Sequence, residues 1–484
     1  MQAEINVYGP NSILSGEYPL DQIREATSWR VAGSEYSKAY KRGLWDGRKN
    51  LFNSKTGSFP TGLLSAVKRV LGESKVEYAI IDHRVDPVSQ QTTPDFTLQG
   101  GISFTGKYAF QEAACIKMVQ EKQGIVRIAT NGGKSCIAAA VAKYLNIKTL
   151  FVVPTRELLY QVRTRFSQYL GIPLEEIGII GDNNWAPGDW ITVAILDTLE
   201  SRMDKAECQS FLKSIELLFI DECHGTGSET WYTVATLCPA YYRFGLSGTP
   251  LDRTDGANLR LIAATGDVIV DIGNKFLVDS GVSARANIVF DKITEPVIKK
   301  NVRYNAVYKA GVVENPQLNA KIIEWTKVCV QEGLSVLILL EEISHGKSLD
   351  EKLWTDTGSM FIPHQFIFGE ETTEVRVNAL REFEERKLPV LIASSILDEG
   401  VDVPTIDVLI CAGSRKSRIR TLQRLGRGLR GTQLIVIEFS NFCHDYLLRH
   451  SLTRFRDYRN EECFPMYNSA PSASLIKQLW KNEV

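Results

Sequence analysis

One stretch constrains this chain more than any other. An apolar, β-branched run, Ile125-Val126-Arg127-Ile128, enters the turn Ala129-Thr130-Asn131-Gly132-Gly133 and leaves it through Lys134-Ser135 into an alanine-rich helix. A strand that passes through a glycine turn into a helix is the first half of a βαβ unit, whose parallel strands need helices on both faces. The backbone N–H groups of such a turn, with the helix N-terminus, cradle phosphates. Lys134 would meet the β- and γ-phosphates and the Ser135 hydroxyl a magnesium ion. The general P-loop pattern wants glycine where Ile128 stands, so a strict pattern search misses this loop. Asn131 falls where glycine is common, and asparagine tolerates positive φ. The phosphate-binding candidates are therefore Thr130, Asn131, Gly132, Gly133, Lys134 and Ser135.

The strand–turn–helix rhythm continues. Thr149–Val153 precedes a helix over Arg156–Tyr169, and further strands are expected at Trp190–Ile195 and Leu217–Ile220. A less patterned bridge, Val282–Ala306, leads to a second set of strands at Ser335–Leu340, Gln365–Phe368, Leu388–Ala393, Val408–Cys411 and Leu434–Glu438. Ahead of both sets, residues 1–100 mix short apolar runs and turns with a helix at Gly62–Leu71 and a strand at Val76–Ile81. The predicted fold class is α/β, with two tandem parallel sheets behind a small α+β N-terminal domain. At 484 residues the chain is too long for one core. The expected divisions are 1–100, 101–284, 285–450 and a helical tail, 451–484.

Apolar runs are strand-length, well short of the roughly 20 residues of a membrane span. The Met-Gln-Ala-Glu start lacks a signal-peptide pattern, so a cytoplasmic location is expected. Nine scattered cysteines with no CxxC pair read as small buried hydrophobes rather than a metal site.

Leu217–Ile220 runs directly into Asp221-Glu222-Cys223-His224. An acid at the carboxyl end of a central strand can hold magnesium through water, and an adjacent glutamate can take a proton from an attacking water. An acidic strand cap beside a core cysteine is the bland reading, and it weakens once a phosphate loop lies upstream. With a net charge of −1, nucleic-acid binding by the protein as a whole is disfavoured, so local patches must carry it. One runs from Tyr36 to Val70 and holds Lys38, Lys41, Arg42, Arg48 and Lys49; the other, Gly413–Gly431, holds seven cations and no acid.

These segments, with Leu246-Ser247-Gly248-Thr249-Pro250 and Gln423-Arg424-Leu425-Gly426-Arg427-Gly428-Leu429-Arg430, resemble motifs I, II, III and VI of the superfamily 2 helicases. The resemblance spans roughly Gly101–Phe442 and implies two RecA-like domains, ATP and Mg²⁺ as cofactors, and DNA as partner. It implies a finger role for Arg427 and Arg430, with Gln423 beside them, stabilising phosphoryl-transfer charge when the domains close. Ser394-Ser395 and Gly400-Val401-Asp402 resemble motif V, with Gly400 and Asp402 near nucleotide and Ser394 and Ser395 near the strand. Pro154, Thr155 and Arg156 resemble motif Ia, a backbone grip, and Thr198 falls with them among the implied nucleic-acid contacts. Gln111 matches the family's adenine-reading glutamine, although Tyr108 and Phe110 depart from the usual Arg-x-Tyr-Gln; the bland reading is a surface glutamine.

Tyr40-Lys41-Arg42-Gly43-Leu44-Trp45-Asp46-Gly47-Arg48-Lys49, Ser344-His345-Gly346-Lys347, and the tail residues His450, Arg454 and Tyr458 resemble the phage UvsW-type helicases, within them the T5-like branch-migrating group. That resemblance implies remodelling of forks and four-way junctions in replication, recombination and repair. Lys41, Arg42, Arg48 and Lys49 would grip duplex phosphates, while Tyr36, Tyr40, Trp45 and Phe52 either stack at a junction or form the small domain's core. Three other classes stay open: an RNA-remodelling ATPase, the motor subunit of a restriction system, and a non-enzymatic scaffold. Asp-Glu-Cys-His, the absence of room for a nuclease domain, and the full set Lys134, Asp221, Glu222 and Arg430 oppose them in turn.

Overall fold

The computed structural model describes residues 2–88, 93–223, 229–251, 258–355, 360–394, 406–413 and 433–481. The chain divides into two compact units: residues up to Ala129 with Gly133–Ile272, and Thr130–Gly132 with Gly273 onward.

The first unit begins with an α+β module. Its strands are β1 (Gln2–Val7), β2 (Asn11–Gly16), β3 (Ser28–Arg30), β4 (Arg48–Asn50), β5 (Ser58–Pro60) and β6 (Glu77–Asp82). Four of them form a sheet in the order β5-β2-β1-β6, while β3 and β4 pair as a separate ribbon. Alternation along β1 and β2 buries Ala3, Ile5, Val7 and Leu14 against the helix Leu64–Glu73, which contributes Val67, Val70 and Leu71. This core also takes in Ala263 of the helix Asn258–Thr265. Gly62 marks the joint: a Cβ there would fall 2.1 Å from the Ile262 carbonyl oxygen, so only glycine allows the close approach.

The rest of this unit is built on β7 (Gln123–Ile128), β8 (Thr149–Val153), β9 (Gly178–Gly181), β10 (Asn184–Ala186), β11 (Ile191–Ile195), β12 (Leu217–Ile220), β13 (Tyr242–Ser247) and β14 (Val268–Ile272). The order is β10-β9-β11-β8-β12-β13-β7-β14, parallel apart from the β9–β10 hairpin. Every residue of β8, β12 and β13 is buried, as expected of strands covered by helices on both faces.

The second unit carries β15 (Arg285–Ile293), β16 (Val336–Leu339), β17 (His364–Ile367), β18 (Val390–Ala393), β19 (Val408–Cys411), β20 (Gln433–Asn441) and β21 (Met466–Asn468). All pairings in the order β17-β18-β16-β19-β20-β15-β21 are parallel. The fold is thus α/β with two RecA-like sheets and an N-terminal module.

Two expectations need correction. The stretch Val282–Ala306 is no bridge: it contains β15, a nine-residue strand paired on both edges. Asp291 makes it look polar in sequence, yet that carboxylate is 2% exposed and is held by Lys321 Nζ and by Trp325 Nε1 at 3.0 Å. The tail is also not purely helical, because β21 joins the sheet beside β15 between the helices Asp445–Asn460 and Ala473–Lys481.

Candidate functional site

The functional residues of the first unit lie at the carboxyl ends of its parallel strands, where open α/β sheets place their ligands. β7 leads into the phosphate-loop candidate, β8 into Pro154–Arg156, β11 into Thr198, β12 into Asp221-Glu222 and β13 into Ser247–Thr249. Because β13 lies between β12 and β7, the loop and the acidic pair stand two strand spacings apart, about 10 Å. That gap suits a bound chain of phosphates.

The loop has the backbone that its residue types require. Asn131 has φ 75° and Gly133 φ 84°, both left-handed, and the helix Lys134–Leu145 starts immediately after. Ala138 to Ala142 are fully buried, which lets this helix pack tightly on the sheet. Lys134 Nζ lies 3.3 Å from the Ile128 carbonyl oxygen, turned back over its own loop. Gln111 is 6% exposed, and a Cβ on Gly133 would meet its Nε2 at 2.3 Å. The surface reading of Gln111 therefore fails; its amide lies on the phosphate loop. Within the second unit, Asn131 Nδ2 donates to Val282 O at 3.2 Å and to Ser283 Oγ at 3.3 Å.

Asp221 is buried at the end of β12, where its N–H still donates to Val152 O at 2.9 Å and keeps the strand register. Its Oδ1 accepts from the Glu222 N–H at 3.0 Å, and Glu222 takes φ 48°, a left-handed value unusual outside glycine. Burial pushes the Cys223 thiol well above its ordinary range; Glu222 and Asp221 push it further, and Lys134 pulls it back. Lys134, Asp221 and Glu222 are thus within electrostatic reach of one thiol. That thiol needs Gly245 beneath it, where a Cβ would fall 3.1 Å from its sulfur. On β13, Ser247 is fully buried and its Oγ accepts from the Thr249 N–H at 3.0 Å, fixing the turn next to the acidic pair.

Thr155 caps the helix Arg156–Leu170, accepting from the Leu158 N–H at 3.4 Å. Arg156 is exposed and pairs with Asp182 at 2.9 Å, an acid that Tyr160 also contacts at 2.6 Å. Thr198 is half-buried in the short helix Leu196–Glu200. In the second unit Ser394 is buried, its N–H donating to Ile367 O at 3.2 Å. Ser395, Gly400, Asp402, Gln423, Arg427 and Arg430 lie outside the described residues, as does His224.

The N-terminal cations divide. Lys41, Arg42 and Lys49 are exposed. Arg48 departs from its expected place on a DNA-facing surface: its guanidinium donates to Ser28 Oγ (2.8 Å), Ser28 O (3.2 Å) and Glu25 O (3.3 Å), tying β4 to β3. Trp45 is half-buried and donates to Arg48 O at 2.7 Å, and Phe52 is core, while Tyr36 is 75% exposed. Arg454 and Tyr458 prove structural too. Both reach the buried Glu438 of β20, at 2.9 and 3.0 Å, and lock the helix Asp445–Asn460 to the sheet.

Residues 104–252 match the family described as type III restriction enzyme, res subunit, and residues 319–432 match the helicase conserved C-terminal domain. Together these matches cover over half of the chain, in the order the motifs require. The chain belongs to the superfamily 2 helicases. Among this helicase's relatives, putative helicase 22 of a Sulfolobus islandicus filamentous virus is 24% identical over 70% of the chain and 64% of that protein. The DNA 3'-5' translocase XPB2 of Sulfurisphaera tokodaii is 24% identical over 66% of the chain and 78% of its own length. Against the archaeal Rad25 proteins the chain spans about half of the relative's length. The crystal structure of T4 UvsW aligns at a TM-score of 0.47 and 20% identity, covering 97% of this chain and 99% of that one.

Proposed function

We propose that this helicase hydrolyses ATP to translocate on DNA and that it remodels branched DNA, forks and four-way junctions above all. The carrying observation is that the left-handed turn before Lys134, with Gln111 laid against Gly133, follows β7 while the buried Asp221 and its neighbour Glu222 follow β12, two strands away in the same parallel sheet. A scaffold with a dead loop has no use for that arrangement.

In this reading the N–H groups of Thr130–Gly133 and the start of the helix Lys134–Leu145 hold the phosphates, and Gln111 positions the base. Lys134 leaves the Ile128 carbonyl to meet the β- and γ-phosphates. The donor set, one hydroxyl (Ser135) and one carboxylate (Asp221), suits a hard divalent cation that keeps several waters; magnesium there would neutralise charge on the phosphate oxygens. Glu222 orients the attacking water and accepts its proton. Gln423, Arg427 and Arg430, with Gly400 and Asp402, carry the second domain's share by resemblance. Pro154, Thr155, Arg156, Thr198, Ser394 and Ser395 grip the tracked strand, and Lys41, Arg42 and Lys49 hold duplex.

The branched-substrate part rests on the N-terminal module, whose core is shared with the helix Asn258–Thr265. A duplex grip built into the motor's own core can move with it. The test is ATP turnover with no DNA, single strands, duplex, forks, four-way junctions and RNA, with junction unwinding followed in parallel. Greater stimulation by branched DNA than by plain duplex supports the proposal. Stimulation by RNA alone would move the chain to the RNA-remodelling class.

A further inference from the structure

The hairpin of β9 and β10 forms one edge of the first unit's sheet, and none of the residues assigned to the motor lies on it. Its two-residue turn, Asp182-Asn183, takes φ 49° and 62°, the pair of left-handed residues that tight hairpins favour. β9 runs parallel to β11, and β11 to β8, so the turn lies at the same end of the sheet as Thr155 and Arg156. The hairpin is anchored below that turn. A Cβ on Gly181 would fall 2.7 Å from Ile195 Cδ1, and Trp185 meets the Phe211 ring edge-on at 6.0 Å. The Arg202 guanidinium covers the same indole at 4.9 Å.

Asp182 Oδ2 lies 2.9 Å from Arg156 Nε and accepts from the Tyr160 hydroxyl at 2.6 Å. That hydrogen bond pushes the Tyr160 phenol above its ordinary range, so the hydroxyl remains a donor. Arg156 and Tyr160 are one helical turn apart, and Arg156 is the first residue of its helix. The dipole at a helix N-terminus repels a cation, so an unrestrained guanidinium there would swing out into solvent. Asp182 supplies the opposing charge. The pair is too exposed to add much stability, since surface ion pairs contribute little. Its effect is on position. The arginine side chain is 65% exposed and the acid only 16%. A phosphate can therefore reach the arginine from the solvent side while Asp182 stays seated between its turn and Tyr160.

We infer that Asp182 is a positioning residue for the strand grip: it holds the Arg156 guanidinium at the helix start, next to Thr155, ready for a backbone phosphate. The inference rests on the proposed assignment of Arg156 to the tracked strand and adds the hairpin to that grip. A guanidinium ordered in advance loses less freedom when the strand binds. The competing account makes Asp182 a stand-in for phosphate, which the strand must displace.

The test uses the full chain and a single-stranded dT oligonucleotide, with strand binding and ATP turnover followed against strand concentration and salt. Asp182→Gly removes the carboxylate without backbone strain, because glycine accepts φ 49°. It should raise the half-activating strand concentration by about fivefold and leave saturated turnover within about twofold of wild type. The salt slope of strand binding should lessen by roughly 0.7, the share of one phosphate. Asp182→Asn keeps an oxygen for Arg156 Nε and the Tyr160 hydroxyl, and should restore wild-type half-activation. Arg156→Ala with Asp182→Gly should match Arg156→Ala alone, because the acid acts through the arginine. Tighter strand binding by Asp182→Gly would overturn the inference and make the acid a phosphate stand-in. Unchanged binding would overturn it too, by reducing the pair to a solvated contact. A further loss in the Arg156→Ala background would leave the hairpin a merely structural role. If Arg156→Ala itself binds strands as wild type does, the grip assignment falls and takes the positioning role with it, whereas the other failures leave Arg156 in the grip.

Discussion

Gly133 and Gln111 touch: a Cβ on the glycine would fall 2.3 Å from the glutamine's side-chain nitrogen. The contact joins the phosphate loop to the helix Ala109–Glu121, so a change in one is felt by the other.

Gly133→Ala should cut nucleotide affinity at least tenfold and take turnover to background. The alanine meets the Gln111 amide and must also hold φ 84°, a strain of about 1–2 kcal/mol on its own. Adding Gln111→Ala removes the clash and leaves the strain, so the double variant should regain part of the missing affinity. Nucleotide titration of both variants checks this; a Gly133→Ala protein with wild-type affinity would mean that the loop does not hold phosphate.

Lys134→Ala and Glu222→Gln should fail differently. The first removes a half-buried cation from the start of the helix Lys134–Leu145 and should abolish turnover by weakening phosphate binding, with the fold intact. The second keeps Lys134 and Asp221 but turns the proton acceptor into a neutral amide, so ATP should bind and persist unhydrolysed. Single-turnover hydrolysis beside equilibrium binding separates the two. Hydrolysis by Glu222→Gln within a few-fold of wild type would place the base elsewhere.

Arg454→Ala should destabilise the second unit by about 3–5 kcal/mol, because it leaves Glu438 charged and buried. Both groups are under 5% exposed, and the arginine also donates to Phe439 O at 3.0 Å. Tyr458→Phe removes one hydrogen bond to the same carboxylate and should cost nearer 1 kcal/mol. Urea unfolding of the two variants reads the difference; near-equal losses would deny the ion pair its structural role.

Much of this was legible in the sequence, for a physical reason. Parallel strands covered on both faces must be apolar throughout, so Thr149–Val153, Leu217–Ile220 and Val408–Cys411 stand out with their correct ends. The phosphate loop is equally local, and the positive φ of Asn131 follows from the residue type. What stayed hidden depends on partners far along the chain. β15 escaped because Asp291 is neutralised by Lys321 and Trp325, which no local pattern reveals. Arg48 looked like one of four similar surface cations until Ser28 and Glu25 were seen to hold it.

Acid should weaken the second unit through His345. Burial holds its pKa down at about 4, from an ordinary value of 6.5, and its Nε2 lies 2.8 Å from Asn319 Oδ1. The unfolded chain thus takes up this proton before the folded one does. Stability from this group is fully present above pH 6.5 and is lost as pH falls toward 4, by roughly 2 kcal/mol at pH 5. Urea midpoints at pH 7 and pH 5 should converge in His345→Gln relative to wild type. An unchanged difference between the two midpoints would show that His345 is not the group responsible.

The N-terminal cations give the last prediction, because their geometry assigns them unlike roles. Lys41 and Arg42 are exposed at the end of a four-residue helix, and removing them leaves no buried group without a partner. Lys41→Ala with Arg42→Ala should leave unfolding unchanged and weaken binding to forks and four-way junctions. The salt slope of duplex binding should fall by roughly 0.9 for each phosphate no longer neutralised. Hydrolysis at saturating single-stranded DNA should hardly move, since none of the P-loop or acidic residues changes. Arg48→Ala should do the reverse at first, lowering stability by about 1–3 kcal/mol because three hydrogen bonds between β4, β3 and the preceding helix disappear. Its junction binding should then fall only as far as the ribbon of β3 and β4 loosens. Junction affinity against salt, single-strand-stimulated turnover and thermal unfolding, measured on both proteins, separate the cases. If Lys41→Ala/Arg42→Ala retains full junction binding with an unaltered salt slope, the exposed cations are only a solvated face. The duplex grip would then have to be sought elsewhere on the module.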